Sequence, residues 1–236
     1  MPELLQELLS RPIFAVTLSV GFFLASNVFY QRSKHFPLLH PLITAPPIIA
    51  AILKYADIDY ATYFAANDLL IFLLGPITVA MAIPLYQQLN RIRSMVAISL
   101  WTIIIGASLA TGLAYIAVIS LGGNQETMIS LLPKTVTTAI AYALSEEFGG
   151  NTSITAGATM LAGLTGVVAA PTIFKLLKIN DHRIMGFTMG IMSHGSGTTR
   201  AYEISPVAGA FASLGMGLTG AFISIVLPIV AVWFFI

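Results

Sequence analysis

Met192-Ser193-His194-Gly195-Ser196-Gly197-Thr198-Thr199-Arg200 lies between two runs that read as membrane-spanning helix. A spanning helix does not ordinarily tolerate such content. Each of its two glycines disfavours helix by about 1 kcal/mol relative to alanine. Ser193, His194, Ser196, Thr198, Thr199 and Arg200 add polar groups that hydrocarbon does not solvate. Irregular, polar backbone at membrane depth persists only where protein buries it or where it lines a wet cavity. The stretch therefore points to a ligand. Its counterpart is Pro133-Lys134-Thr135-Val136-Thr137-Thr138, and the two are expected to meet and hold a small anion.

Working outward, the whole chain has the same apolar character. Of 236 residues, 57% are hydrophobic and only 9% charged, whereas soluble domains carry about a quarter charged residues. The expected fold is an all-α membrane protein, a polytopic bundle of about seven or eight transmembrane segments with broken or re-entrant helices around a midplane site. One integral membrane domain, 1–236, accounts for the length, with repeat units around 36–122 and 124–236. A net charge of +1 gives no nucleic-acid footprint. The lack of cysteine leaves the redox compartment open. The first apolar run follows Glu3, Glu7 and Arg11 without a basic leader or a small-residue cleavage site, so it reads as a retained helix.

In chain order the apolar runs are 12–30, 36–53 with a kink or break expected at Pro46-Pro47, 69–88 split at Gly75-Pro76 and Pro84, 95–121, 127–148, 153–177, the short 184–199, and 206–236. The segment 55–68, with three acids and three tyrosines, suits an interfacial connector. Small residues four apart mark close helix contacts: Gly106, Ala110 and Ala114; Ala158, Ala162, Gly166 and Ala170; Gly209, Ser213, Gly217 and Ala221. The stripe Gly186, Gly190, His194 turns the histidine into the bundle.

Basic groups should face the cytoplasm. These are Arg32 with Lys34, Arg91 with Arg93, and Lys175, Lys178 with Arg183. Three full spans between Arg93 and Lys175 would put the last group on the wrong side. The conflict disappears if 127–148 is re-entrant, turning near Pro133, with the N-terminus outside. An internal echo, Pro76-x-Thr78-Val79-x-x-Ala82-Ile83 against Pro133-x-Thr135-Val136-x-x-Ala139-Ile140, suggests a repeat with broken helices at corresponding places.

The chemistry follows from the two broken segments. A half-helix beginning inside the membrane presents free N–H groups and the positive end of its dipole. Pro133 suits a first helical position, which would set Lys134, Thr135, Thr137 and Thr138 around that terminus. Gly195-Ser196-Gly197 offers a backbone nest, and Arg200 a planar fork for a carboxylate. With Ser193, His194, Thr198 and Thr199, these groups describe a site for a small hydroxylated carboxylate. His194, Glu146 or Glu203 could carry a coupling proton.

Plainer roles stand beside these. Lys134 or Arg200 could snorkel to an interface, the threonines bond back to helix carbonyls, and His194 be a satisfied interior group. Catalysis is not expected. His-Gly-Ser-Gly lacks the first glycine of a nucleophile elbow, and His35, His40 and His182 lie in or near connectors. Histidines and carboxylates at metal-ligand spacing are absent from the sequence, so no metal or other cofactor is expected.

Leu132-Pro-Lys-Thr-Val-Thr-Thr-Ala-Ile-Ala, Ser145-Glu-Glu-Phe-Gly-Gly and Ser193-His-Gly-Ser-Gly-Thr-Thr-Arg-Ala resemble motifs of the LrgB/CidB family. Phe72-Leu-Leu-Gly-Pro-Ile-Thr-Val-Ala-Met-Ala-Ile-Pro-Leu-Tyr is similar to its N-terminal signature. The resemblance runs from about Arg11 to the C-terminus. It departs at Ala139, where the pattern has proline, and at Ser196, where it has isoleucine. The family is described as holin/antiholin-like, linked to murein hydrolase control and lysis, and partnered by small LrgA/CidA-type membrane proteins. A plastid relative resembles a glycolate/glycerate translocator, and bacterial pairs are tied to pyruvate. The resemblance thus implies a multi-pass protein of the bacterial inner membrane, with a small-carboxylate substrate, lipid and an LrgA/CidA-like partner. A homo-oligomer, most simply a dimer, is also expected.

Overall fold

The computed structural model describes residues 11–33, 36–80, 82–87, 90 and 93–234, and every regular element among them is helical. The chain divides into two compact units, Met1–Ala80 and Met81–Ile236. Lys34, His35 and Arg91 lie outside the described residues.

The first unit contains α1 (Pro12–Arg32), a 3-10 turn (Pro37–Leu39), α2 (Pro41–Tyr55), α3 (Tyr60–Ala66) and α4 (Asp68–Ala80). Ala15, Leu53, Tyr63 and Ala66 form its small core. Ser19 Oγ bonds the Tyr63 hydroxyl at 2.5 Å and donates to Asn67 Oδ1 at 2.9 Å, so α1 holds the segment 60–67 through polar groups that lipid would not satisfy. Of the kink or break expected at Pro46-Pro47, the break does not occur. Both prolines lie inside α2, because proline's fixed φ is helical and the pair forfeits backbone bonds without turning the chain. The connector 55–68 folds into α3, started by Asp59 Oδ2 accepting from the Ala61 N–H at 3.0 Å.

The second unit contains α5 (Ala82–Gln87), α6 (Val96–Ser120), α7 (Gln125–Leu131), α8 (Thr138–Glu147), α9 (Thr152–Leu176), α10 (His182–Ile204) and α11 (Pro206–Phe234). Among the described residues, α1, α6, α9 and α11 are each long and apolar enough to cross a membrane; α2 and α3, bent by 118°, make a fifth crossing if counted as one span. The apolar segments 127–148 and 184–199 are not single crossings. Each belongs to a helical hairpin.

The first hairpin is α7, an irregular tip over 132–137, and α8. Its two ends meet: the Asn151 N–H donates to Ser130 Oγ at 2.7 Å, and Asn151 Nδ2 to Glu126 Oε1 at 3.3 Å. The chain thus leaves by the end through which it entered. With 10 residues, α8 is about 15 Å long, half of a hydrocarbon core of about 30 Å.

The second hairpin is α10, a single element only nominally, because His194 breaks it with φ 38° and ψ −125°. A Cβ placed on Gly197 would come closer than 3.0 Å to the carbonyl oxygen of Met189. In a straight helix those residues are about 12 Å apart along the axis, so the chain has doubled back. Contacts with α11 agree. Gly186 lies against Ala208 and Gly190 against Ala212, so 182–193 runs parallel to α11. The Tyr202 hydroxyl meets Ser213 Oγ at 3.1 Å, and the Thr198 hydroxyl reaches Met216 Sδ at 3.8 Å, so 195–204 runs antiparallel.

Hairpins and spans alternate in direction. Arg183 Nη1 reaches Met95 Sδ at 3.9 Å, joining the starts of α6 and α10 at one end. The bonds of Asn151 to Ser130 and Glu126 join the start of α9 to α7 at the other. The two hairpins therefore enter from opposite ends of the bundle. Arg93, Lys175, Lys178 and Arg183 share one end, as the re-entrant reading of 127–148 required. In the echo, Pro76 lies within α4 whereas Pro133 lies in the irregular tip, so the matching stretches take different backbone.

Candidate functional site

Lys134 projects from the first tip to the middle of α6. Its Nζ donates to the Ala110 carbonyl at 3.0 Å, leaving two N–H donors of the ammonium for a ligand. Pro133 does not begin the following helix. Turns close there instead, Lys134 N–H to Leu131 O at 3.3 Å and Val136 N–H to Pro133 O at 3.1 Å. A proline restrains only its own φ and serves a turn as well as a helix start. The helix begins at Thr138, and the Thr137 side chain makes no capping bond. Thr135 is buried and its hydroxyl has no protein partner.

From the other hairpin, Ser193 is packed so tightly on Gly166 that any side chain on the glycine would overlap its hydroxyl. That hydroxyl is buried and without a protein partner. The next residue forms the turn. His194 adopts a left-handed φ, and the Nε2–H of its buried ring donates to the Thr159 carbonyl of α9 at 3.0 Å. Such backbone costs about 1–3 kcal/mol in a non-glycine residue and persists where its surroundings over-determine it. The nest expected at Gly195-Ser196-Gly197 is absent, because these residues are helical and the reversal falls on His194 instead.

Between the tips lies a cavity of about 460 Å³. Lys134 and Thr135 line it from the first hairpin, and Met189, Met192 and Ser193 from the second. Ala110 and Leu113 of α6 and Gly166, Ile173 and Phe174 of α9 complete much of the wall, and the cavity is open on the side where Leu113, Ile173 and Met192 are exposed. Two segments far apart in sequence, at Lys134-Thr135 and at Met189–Ser193, thus line one cavity. The polar side chains on its wall are Lys134, Thr135, Thr165, Thr188 and Ser193; of these, the ammonium and the two orphaned hydroxyls of Thr135 and Ser193 can serve one anionic head.

Other expected residues lie outside this wall. Arg200 forms an ion pair with Glu203 three residues on and is not among the residues that line the cavity. Thr198 donates to the His194 carbonyl at 2.8 Å and Thr199 to the Gly195 carbonyl at 3.0 Å, the back-bonding that helical threonines favour. Ser196 faces Gly163. Thr137 is half-buried, while Thr138, Glu146 and Glu203 are exposed. Pro76 is exposed in the first unit, and the side chain of Thr78 lies outside the described residues. No cluster of metal-ligating side chains occurs among the described residues. What the motif reading missed is the α6 and α9 wall. Its signal was in the small-residue stripes, since Ala110, Ala162, Gly166 and Ala170 all line the cavity.

At a turn near neither tip, Asp181 accepts from the Arg183 N–H at 2.8 Å and pairs with its guanidinium. The Arg183 side-chain hydrogen bond is the main cause holding the Asp181 carboxyl down to about 2.

Long apolar helices with two opposed hairpins define a multi-pass membrane protein. Residues 19–233 match the model of the LrgB-like family, and the chain belongs to that family. It is 34% identical over 218 residues to an uncharacterized protein of Haemophilus influenzae, covering 92% of this chain and 94% of that one. It is 27% identical over 225 residues to the holin-like protein CidB of Staphylococcus epidermidis, covering 95% and 98%. Identity to the antiholin-like protein LrgB of Bacillus subtilis is 28% over 218 residues, covering 92% and 94%. No solved structure matches the chain. As a member of this family the protein is a multi-pass protein of a bacterial membrane.

Proposed function

We propose that the protein is a carrier of small monocarboxylates, with glycolate, glycerate and pyruvate as the substrates the family resemblance suggests. The observation that carries the reading is the convergence of two opposed hairpins on one cavity containing Lys134 and the orphaned hydroxyls of Thr135 and Ser193. In carriers, broken helices from inverted repeats meet at the midplane, and rocking of one repeat against the other exposes the site alternately. Here the units would be span plus hairpin, 96–147 and 152–204, with the basic end cytoplasmic. Lys134 would neutralise the carboxylate, Thr135 and Ser193 would bond its oxygens, and His194 would hold the second tip in place. Arg200 and Glu203 would lie on the return arm, away from the anion.

A holin-like or antiholin-like role is the second reading, favoured by the names of two relatives. In it the protein gates the membrane with an LrgA/CidA-type partner or as a homo-oligomer. Uptake into proteoliposomes separates the two. A carrier takes up labelled pyruvate or glycolate saturably, stereoselectively where the acid is chiral, and loses this in Lys134→Gln. Release of unrelated trapped dyes, indifferent to Lys134→Gln, would refute the carrier.

A further inference from the structure

We infer that the carboxylate reaches Lys134 from the basic end of the bundle, along a groove between α6 and the first arm of α10 in which Arg183 is the first station. This rests on the carrier reading of the central site and adds to it a second anion site and a route. At the basic end a crevice is lined by Met95, Ser99 and Thr102 of α6 and by Arg183, Ile184 and Thr188 of α10. Thr188 also lines the cavity of Lys134 and Ser193, so the two spaces share a wall residue. The helix α6 runs beside this arm: Met95 meets Arg183, and Gly106 lies against Ile191. Thr102, Gly106 and Ala110 fall four residues apart on one face of α6. Thr102 lines the crevice and Ala110 the cavity, so Gly106 lies between the two. The nearest atom to a Cβ placed on Gly106, on Ile191, is at the ordinary contact distance of 3.8 Å. Helix packing therefore does not call for glycine there, and the missing side chain leaves the groove clear.

The donors along the groove suit a passing anion. Asp181 takes Nε and Nη2 of Arg183, whereas Nη1 meets the thioether of Met95 at 3.9 Å, a weak acceptor. A carboxylate displaces that contact without breaking the ion pair. The hydroxyls of Ser99, Thr102 and Thr188 come next, and hydrocarbon would leave such groups unsolvated. At 1.5 Å per residue, Arg183 and Ser193 are about 15 Å apart along the arm. One three-carbon acid cannot bridge that distance, so the two ends of the groove are successive stations.

The test uses the full-length protein in phosphatidylcholine, where no anionic headgroup competes. In nanodiscs, Thr102→Cys and Thr188→Cys should react with a membrane-impermeant anionic thiosulfonate about tenfold faster than Leu109→Cys, because the reaction needs a hydrated thiolate. Leu109 is an exposed α6 residue outside both walls. Pyruvate should slow the reaction at position 188. In proteoliposomes Gly106→Leu should abolish pyruvate uptake while equilibrium binding to nanodiscs remains. Arg183→Gln should slow uptake at low pyruvate about tenfold, and Asp181→Asn, which removes the competing carboxylate, should speed it; a merely structural ion pair predicts the same direction for both. Labelling at 102 and 188 no faster than at 109, or undiminished uptake in Gly106→Leu, would overturn the inference and leave the carrier reading intact; where Gly106→Leu does not fold, the labelling rates decide. A loss in Arg183→Gln that appears only when phosphatidylglycerol is added would give Arg183 to a lipid headgroup and overturn the inference as well. Wild-type protein that neither binds nor takes up pyruvate would overturn both.

Discussion

Replacing Gly197 by alanine separates a hairpin from a straight helix by the sign of its effect. In a continuous helix Gly197→Ala removes a poor helix former and should stabilise by about 1 kcal/mol. In the structure the new Cβ would sit closer than 3.0 Å to the Met189 carbonyl oxygen and to the Ser193 side chain. Neither obstacle is a flexible side-chain end, so the two arms of α10 must separate. Overpacking of this kind costs about 1–3 kcal/mol. Gly195 is the control: it opens the returning arm, with nothing within 4 Å of a Cβ placed there, so Gly195→Ala should be neutral or gain at most about 1 kcal/mol. For a chain of this size, 1 kcal/mol moves a midpoint by about 2–4 °C. Thermal unfolding of the purified protein should then show Gly197→Ala lower by about 2–12 °C and Gly195→Ala unchanged or higher by up to about 4 °C. Gly197→Ala equal to or above Gly195→Ala would refute the doubled-back arm.

Further expectations follow from other sites. Lys134→Gln should abolish acid-dependent flux with little change in thermal midpoint, whereas Arg200→Ala should leave substrate affinity within about twofold, an expectation resting on its place outside the wall; binding and uptake assays check both. Asn151→Ala removes the oxygen that accepts from the Ser153 and Ile154 N–H groups and the tie to Glu126, and should cost about 1–2 kcal/mol in thermal stability. The Asp181 carboxyl titrates near 2 when folded against an ordinary 3.8, so its contribution is present above about pH 4 and is lost as pH falls toward 2. Asp181→Asn keeps a capping oxygen and loses the charge, so the small difference between its thermal midpoint and that of the wild type should vanish across that window.

Much of this was legible in the sequence. Helical class and membrane residence followed from apolar runs, and the two interruptions were visible as Pro133-Lys134 in one apolar segment and as glycine and polar residues at 193–200 in the other. The re-entrant course of 127–148 came from the placement of Arg93 and Lys175, since basic clusters report sidedness independently of span counting. The second hairpin was seen only as a short segment. Composition marked Gly195 and Gly197 as the break, whereas His194 takes the positive φ and Gly197 instead lets the returning arm pass Met189. Such a reversal depends on tertiary packing, here the hold of Thr159 on the histidine ring. Arg200 was placed in the site by its charge and planar fork, and Glu203, three residues along the same helix, was the local signal for the ion pair it makes. Pro46-Pro47 misled for a related reason: proline removes backbone bonds, but neighbouring helical geometry decides whether the chain turns.

The convergence of the two tips is most directly tested by thiol cross-linking, because the chain has no cysteine of its own. Glu126→Cys with Asn151→Cys, side chains within 3.3 Å in the native protein, calibrates the reaction. Thr135→Cys with Ser193→Cys joins the two cavity walls. A short bifunctional thiol reagent should link the second pair within one molecule, and a bound carboxylate should slow the reaction. Efficient linkage of the calibrating pair with none between 135 and 193 would contradict the convergence.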